Sequence, residues 1–469
     1  MKVHENHSQP ASAGRHAIDM LNGPIWKKLL VFALPLIAMN ILQQLFNSAD
    51  LAVVGSFAGS KALAAVGTNG PVVALFVTLF SGMAIGANVV IANHIGSGRH
   101  SRVNEIVHTV MLLAFISAAA VPVIGFFIAR PVLTAIGAPG DSLELAILYL
   151  RIYFIALAFQ IIYNYGAAIL RSKGDTRRPL VILTASGLIN VALNMIFVVC
   201  FSMSVEGVAL ATVIANGFAA FMIILLLMRE DGILRFYPSR LRFCREHLLK
   251  VIAIGAPAAL QGAVFSFSNI LVQSGINSFG ADATAGSAAG HIFEIFSWYI
   301  VNGLGQAALT FISQNYGAGK EDRCRRIFWI ALAEAVLMAG AFSFVLFLAE
   351  RPLLSLFTAE PAVAAYAMDR MNRVMAFEFM TALYEIPGAA LRGRGHSLLP
   401  ALLTVIGTVG FRIFWLTVVL NIRHEYPLLM QAYRLSWILT GGMMFIAYFV
   451  ILKKTPKSST GPSAAASSQ

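Results

Sequence analysis

The chain has 469 residues, 58% of them hydrophobic and only 12% charged, with a formal net charge of +12 and a mean hydropathy of +0.76. Those values exclude an ordinary soluble domain and point to an integral membrane protein. The basic excess alone would suit a nucleic-acid binder, but about 25 of the 34 Lys and Arg fall in the tails and in every second loop. That is the positive-inside pattern, so the basicity reports topology and nucleic acid is excluded as a partner.

In chain order, residues 1–24 read as a cytoplasmic tail without the basic-then-apolar pattern of a cleavable signal peptide. Stretches long enough to cross a bilayer, about 20 residues each, follow at 26–55, 61–95, 102–128, 141–170, 178–201, 204–228, 249–279, 283–316, 326–349, 361–391, 398–420 and 427–452. Twelve is an even number, which puts both termini on one side, and the basic tails and alternate loops make that side the cytoplasm. Residues 453–469 are low-complexity and expected to be a disordered cytoplasmic tail.

Asp50 in the first stretch is the only charged residue between Leu29 and Ser60. An ionised carboxylate there costs several kcal/mol unless something offsets it. It stands 22 residues beyond Lys28, roughly 33 Å along a straight helix, and so in the outer half of the membrane. Further on, Glu294, Glu334, Glu378, Glu385 and Arg412 are ionisable residues in apolar stretches. Glu378 and Glu385, seven apart, share a helix face, and Arg412 is the expected partner of one of them. Two roles stay open for this set: an ion pair that fixes packing, or a protonatable, cation-attracting cavity wall. Aromatic residues suited to a polyspecific pocket are Tyr163, Tyr165, Phe265, Phe267, Trp298 and Tyr299.

Cys200, Cys244 and Cys324 are too few and too scattered for a disulfide framework or a zinc site, and the histidines show no metal-ligand spacing. No metal is therefore expected beyond the coupling ion considered below.

The sequence repeats itself. IGSGR (95–99) matches YGAGK (316–320), RPVLTAIGAP (130–139) matches RPLLSLFTAE (351–360), and LRSKGDTRRP (170–179) matches LRGRGHSLLP (391–400), all at an offset of 221 residues. Two homologous six-helix bundles follow, residues 25–228 and 249–452, joined by a basic linker at 229–248 and related by an axis along the membrane normal. The glycine motifs close long apolar helices instead of opening a helix after a strand, so they read as C-caps and not as phosphate loops. The repeated Arg-Pro reads as a helix terminator at the outer face.

With the repeat and these motifs in hand, residues 25–452 resemble the multidrug and toxic compound extrusion (MATE) family. FNSADLAVVGSFAGSKALAAVG, LTFISQNYGAGK and LRGRGHSLLPALLTVIGTVGFRIFW carry the resemblance. It implies an all-α fold of twelve transmembrane helices in two V-shaped lobes around a central cavity. It also implies export of amphipathic, often cationic compounds in exchange for H+ or Na+. Similar members carry an aspartate where Asp50 stands, an N-x-x-x-D pattern in helix 5 and a threonine in helix 6. Here Asn190 matches the first position of that pattern, Asn194 replaces its aspartate, and Thr212 falls at the threonine. Glu294 resembles an acidic residue of similar members.

Asn190 and Asn194 are four apart and share a helix face. With Thr212 they offer neutral oxygens around Asp50, suited to Na+ or to a protonated carboxyl. Repeat alignment puts Val272 opposite Asp50, so the halves are chemically unequal. The sequence thus predicts a multi-pass plasma-membrane antiporter, monomeric, without cofactor and without enzymatic activity. A flippase or exporter of an amphiphilic metabolite is the alternative, and an intramembrane enzyme a weaker one.

Overall fold

A computed structural model describes residues 17–137, 140–355, 358 and 360–454. Among the described residues it is all-helical, with twelve helices apolar and long enough to cross a membrane: α1 Ile25–Ala58, α2 Ser60–Gly96, α3 His100–Ala135, α4 Gly140–Lys173, α5 Arg177–Cys200, α6 Val205–Met228, α7 Arg245–Asn277, α8 Ala281–Gly317, α9 Glu321–Leu348, α10 Pro361–Gly393, α11 Leu398–Ile422 and α12 Tyr426–Lys453. Each coincides with one stretch expected from hydropathy. Most of the expected tail at 453–469, and residues 1–16 of the other, lie outside the described residues.

The repeat is written into the backbone. Gly59 and Gly280, Gly98 and Gly319, and Gly174 and Gly395 all have positive φ, and each pair is 221 residues apart. Beyond α2, Arg99 N–H donates to His94 O at 3.1 Å; beyond α8, Lys320 N–H donates to Asn315 O at 2.9 Å. Both ends are Schellman caps, in which a left-handed glycine lets the chain turn back onto the last carbonyls. The Arg-Pro reading needs correction. Pro131 lies inside α3, which continues to Ala135, and Pro352 sits in the first turn of a short helix, Glu350–Leu354, where its missing N–H costs nothing.

The two halves meet at the end that carries the basic loops. Along α2, a Cβ at Gly82 would strike the backbone of Ala258 and Ala259, one at Gly86 that of Gly255, and one at Gly96 that of Gln314. Small residues allow this approach, as in membrane helices generally. Toward the other end, a Cβ at Gly67 or Gly70 meets nothing within 4 Å, so the halves diverge into a V. Across the closed end, Tyr299 donates to Gln44 at 3.1 Å, Asn40 to Asn302 at 3.3 Å, Arg171 to Gln306 at 3.2 Å and Thr310 to Asn88 at 3.2 Å. Helix α1 divides its packing: Ile25, Leu29, Phe32, Leu36 and Met39 belong to the apolar core of the second half, whereas Val54 belongs to that of the first.

At the basic-loop end of the first half, Glu230 accepts hydrogen bonds from Lys173 at 2.8 Å and Arg178 at 2.7 Å, and Arg178 also pairs with Asp175. Burial by itself would raise the Glu230 carboxyl, but these donors and their charges outweigh it and hold the carboxyl below its ordinary 4.5. A depressed folded-state pKa gives stability that is full above the ordinary value and is lost as pH falls through the depressed one. Melting curves of wild type and Glu230→Gln should therefore lie furthest apart at neutral pH and converge on acidification below about 4.5. A gap that does not change with pH would show that the pair does not contribute in this way.

Candidate functional site

Helix α1 runs uninterrupted through Pro35 to Val53, so Asp50 keeps the outer-half position expected from its distance to Lys28. Immediately beyond it the winding loosens to π over Val54–Ala58. Helix α5 does the same immediately beyond Asn194, over Met195–Cys200. Such segments release backbone groups and recur at functional sites. Nothing in the hydropathy pattern signals them.

The four residues singled out in the first half come together. Asn194 Nδ2 donates to Asp50 Oδ1 and lies 3.3 Å from Asn190 Oδ1. Asn190 Nδ2 donates to Thr212 Oγ1 at 3.3 Å, and Thr212 Oγ1 donates onward to Val208 O at 2.9 Å. All four side chains are buried, and Asn194 Oδ1 is a buried oxygen with no partner. Asp50 meets no cation: the Asn194 amide is the one polar side chain bonded to it among the described residues. A buried carboxylate held by one amide, next to a free amide oxygen, is a site that can accept a small cation or a proton.

The second half differs from the expected pairing. Glu294 of α8 is bound by Arg370 of α10, with Arg370 Nε at 2.9 Å from Oε2 and Nη2 at 3.1 Å from Oε1. Arg370 Nη1 also donates to Ser287 at 2.7 Å. Arg370 was not anticipated, although an arginine inside an apolar stretch is itself a signal. Arg412 pairs with neither glutamate. Its guanidinium donates to Asn269 at 3.0 Å and Ser436 at 3.3 Å, and stacks over the rings of Tyr433 at 4.6 Å and Phe265 at 5.4 Å. Neutral acceptors and aromatic faces thus take the place of a counter-charge.

Glu385 pairs instead with Arg392, one helical heptad on, at 3.0 Å. Glu378, on a tightened 3-10 segment of α10 at Met375–Thr381, is buried with Oε2 unpartnered. Both carboxylate oxygens of Glu334 are likewise without partners. Tyr163, expected to line a cavity, is buried, with its hydroxyl donating to Pro179 O at 2.9 Å, so it ties α4 to α5.

Comparison with known proteins places this architecture. The MatE family model matches residues 35–196 and again 257–417. The chain is 26% identical to the probable multidrug resistance protein YoeA of Bacillus subtilis, over 83% of this chain and 86% of the relative. It is 27% identical to the FAD transporter of Shewanella oneidensis, over 74% and 77%. A mutant of the Vibrio cholerae MATE transporter VcmN superposes with a TM-score of 0.86 at 20% identity, over 92% of this chain and 98% of that one. Two copies of one family motif in tandem, on a twelve-helix V, leave one assignment: the chain is a multi-pass membrane protein of the MatE family, the multidrug and toxic compound extrusion transporters.

Proposed function

We propose that the chain is a secondary antiporter of the plasma membrane that exports amphipathic organic compounds, cationic ones among them, in exchange for H+ or Na+. The halves 25–228 and 249–452 act as its two lobes, with 229–248 as the linker, and one chain is the working unit. The observation that carries this reading is the buried Asp50, paired with no Lys, Arg or His side chain among the described residues, in contact with Asn194 and, through it, with Asn190 and Thr212. With Asp50 ionised, the Asn194 amide donates to it. A proton on Asp50 is accommodated by turning that amide so that Oδ1 accepts from the carboxyl. Na+ would instead collect oxygens from Asp50, Asn194 and Thr212.

The positive-inside rule puts the closed end of the V in the cytoplasm, so the cleft opens outward and Asp50 lies on its outer side. Ion arrival there biases the lobes, and the potential drives it: one charge moved across 100 mV yields about 2.3 kcal/mol. The glutamates and arginines of the second half are proposed to shape the substrate cavity wall. Glu378, whose buried Oε2 has no partner among the described residues, is the member proposed to pair with a cationic substrate.

A second reading, export of an amphiphilic metabolite, draws on the relative named as an FAD transporter. The test is efflux from proteoliposomes holding the purified chain, with a proton gradient or a sodium gradient imposed separately. One of the two should drive movement of a fluorescent organic cation. If neither does while a flavin nucleotide moves, the second reading replaces the first. If nothing moves, antiport is wrong.

A further inference from the structure

We propose a transition-metal site of the zinc class where the linker meets the first half, with Glu105, Cys244 and His247 as ligands. Cys244 is the N-cap of α7, His247 lies in the first turn of that helix, and Glu105 projects from the first two turns of α3. One ligand atom from each residue lies within 4.8 Å of the other two. The Glu105 Oε2 to His247 Nε2 separation is 3.7 Å, and tetrahedral zinc holds its ligand atoms about 3.3–3.6 Å apart. Small side-chain rotations therefore complete the arrangement.

The histidine supplies the independent observation. Its side chain is only 2% exposed, Nδ1 is buried without a partner among the described residues, and Nε2 stands 3.7 Å from Glu105 Oε2. Buried polar atoms are rarely left so. A second buried imidazole nitrogen without a partner, His94 Nε2, belongs to a ring 5.6 Å away.

The neighbouring charges do not oppose a dication as strongly as their number suggests. Arg242 occupies Glu105 Oε1 at 2.7 Å and leaves Oε2 free. Lys250 at 2.6 Å and Arg102 at 3.7 Å are taken up by Glu246. Cys244 itself caps the N-terminus of α7. Its backbone is fixed by the Cys244 N–H donating to Thr109 Oγ1 of α3 at 3.1 Å. Glu105, 39% exposed, leaves the fourth tetrahedral position open to water. Because α3 belongs to the first half and α7 to the second, a bound ion fastens the two halves together at the basic-loop end. The proposal concerns metal binding and holds whether or not the antiport reading does.

The test is titration of the purified, metal-stripped full chain in detergent with Co2+ alone, followed by Zn2+. Expected are one Co2+ per chain, a thiolate-to-cobalt charge-transfer band with tetrahedral d–d bands, and displacement by Zn2+. Cys244→Ser keeps a good N-cap residue and should abolish the charge-transfer band. His247→Ala should weaken binding at least about tenfold, since even outer-shell losses cost 10–100-fold. Cys200→Ser should bind as wild type, and Zn2+ should raise the melting temperature of wild type but not of Cys244→Ser. No thiolate band in wild type, a band that survives Cys244→Ser, or equal thermal shifts in both proteins would each overturn the site.

Discussion

Asp50→Asn is expected to collapse gradient-driven accumulation to the level set by passive equilibrium. For an uncharged substrate, a single coupled charge at 100 mV supports roughly fiftyfold accumulation, and the variant should show a ratio near one. The substitution keeps the shape of the side chain and leaves an oxygen to accept from Asn194 Nδ2, so helix packing is preserved. It removes the only ionisable group of the cluster, because the partners Asn190, Asn194 and Thr212 are neutral. Substrate binding at equilibrium, read by fluorescence polarisation, should survive. That separates lost coupling from lost folding. Undiminished accumulation by the variant would remove Asp50 from the coupling role.

Arg370→Ala is expected to cost about 3–5 kcal/mol of stability, the range for breaking a buried pair by removing one partner. The Glu294–Arg370 pair is bidentate, its side chains are only 9% and 3% exposed, and Arg370 also satisfies Ser287. With the arginine gone, Glu294 is left as a buried charge without its counter-ion, beside Glu378 with its own free oxygen. Replacing both partners, as Glu294→Leu with Arg370→Met, should recover most of the loss, because an apolar pair carries no such penalty. Equilibrium unfolding in mixed micelles measures both. A single variant as stable as wild type would show that the pair does not hold α8 to α10.

The twelve spans were legible because crossing a bilayer is a demand on each stretch by itself: enough apolar residues in a row, with charge in the loops. The tandem repeat was equally legible, since the residues that force a left-handed turn, such as Gly98 and Gly319, cannot drift far. The spacing of Asn190 and Asn194 and the resemblance together point to one cluster with Thr212 and Asp50. Partner choice in the second half was not legible. Arg412 finds Asn269, Ser436 and two rings, while Glu294 finds Arg370, a residue 76 positions away. Which charge meets which depends on helix rotation and depth, and spacing within one helix does not encode these. The end of α3 was missed for a different reason. Pro131 falls one turn from the helix end, where a single lost hydrogen bond does not stop four further residues from winding. Cys244 and His247 went unread as ligands because their third companion, Glu105, is more than a hundred residues away in sequence.

One consequence follows from the divided packing of α1. Its inner length is anchored among residues of the second half, while Asp50 and Val54 lie in the first. The helix is therefore a lever with its fulcrum in one body and its tip in the other. An ion can favour one arrangement of two bodies only if it binds more tightly in that arrangement. A site wholly inside one rigid lobe would look the same in every pose of the molecule. In the coupling role proposed for it, the cluster, with its carboxylate on the lever tip and its amides on α5, would serve as a gauge of the angle between the bodies. On the coupling role proposed for Asp50, a proton or cation bound there would act on that angle.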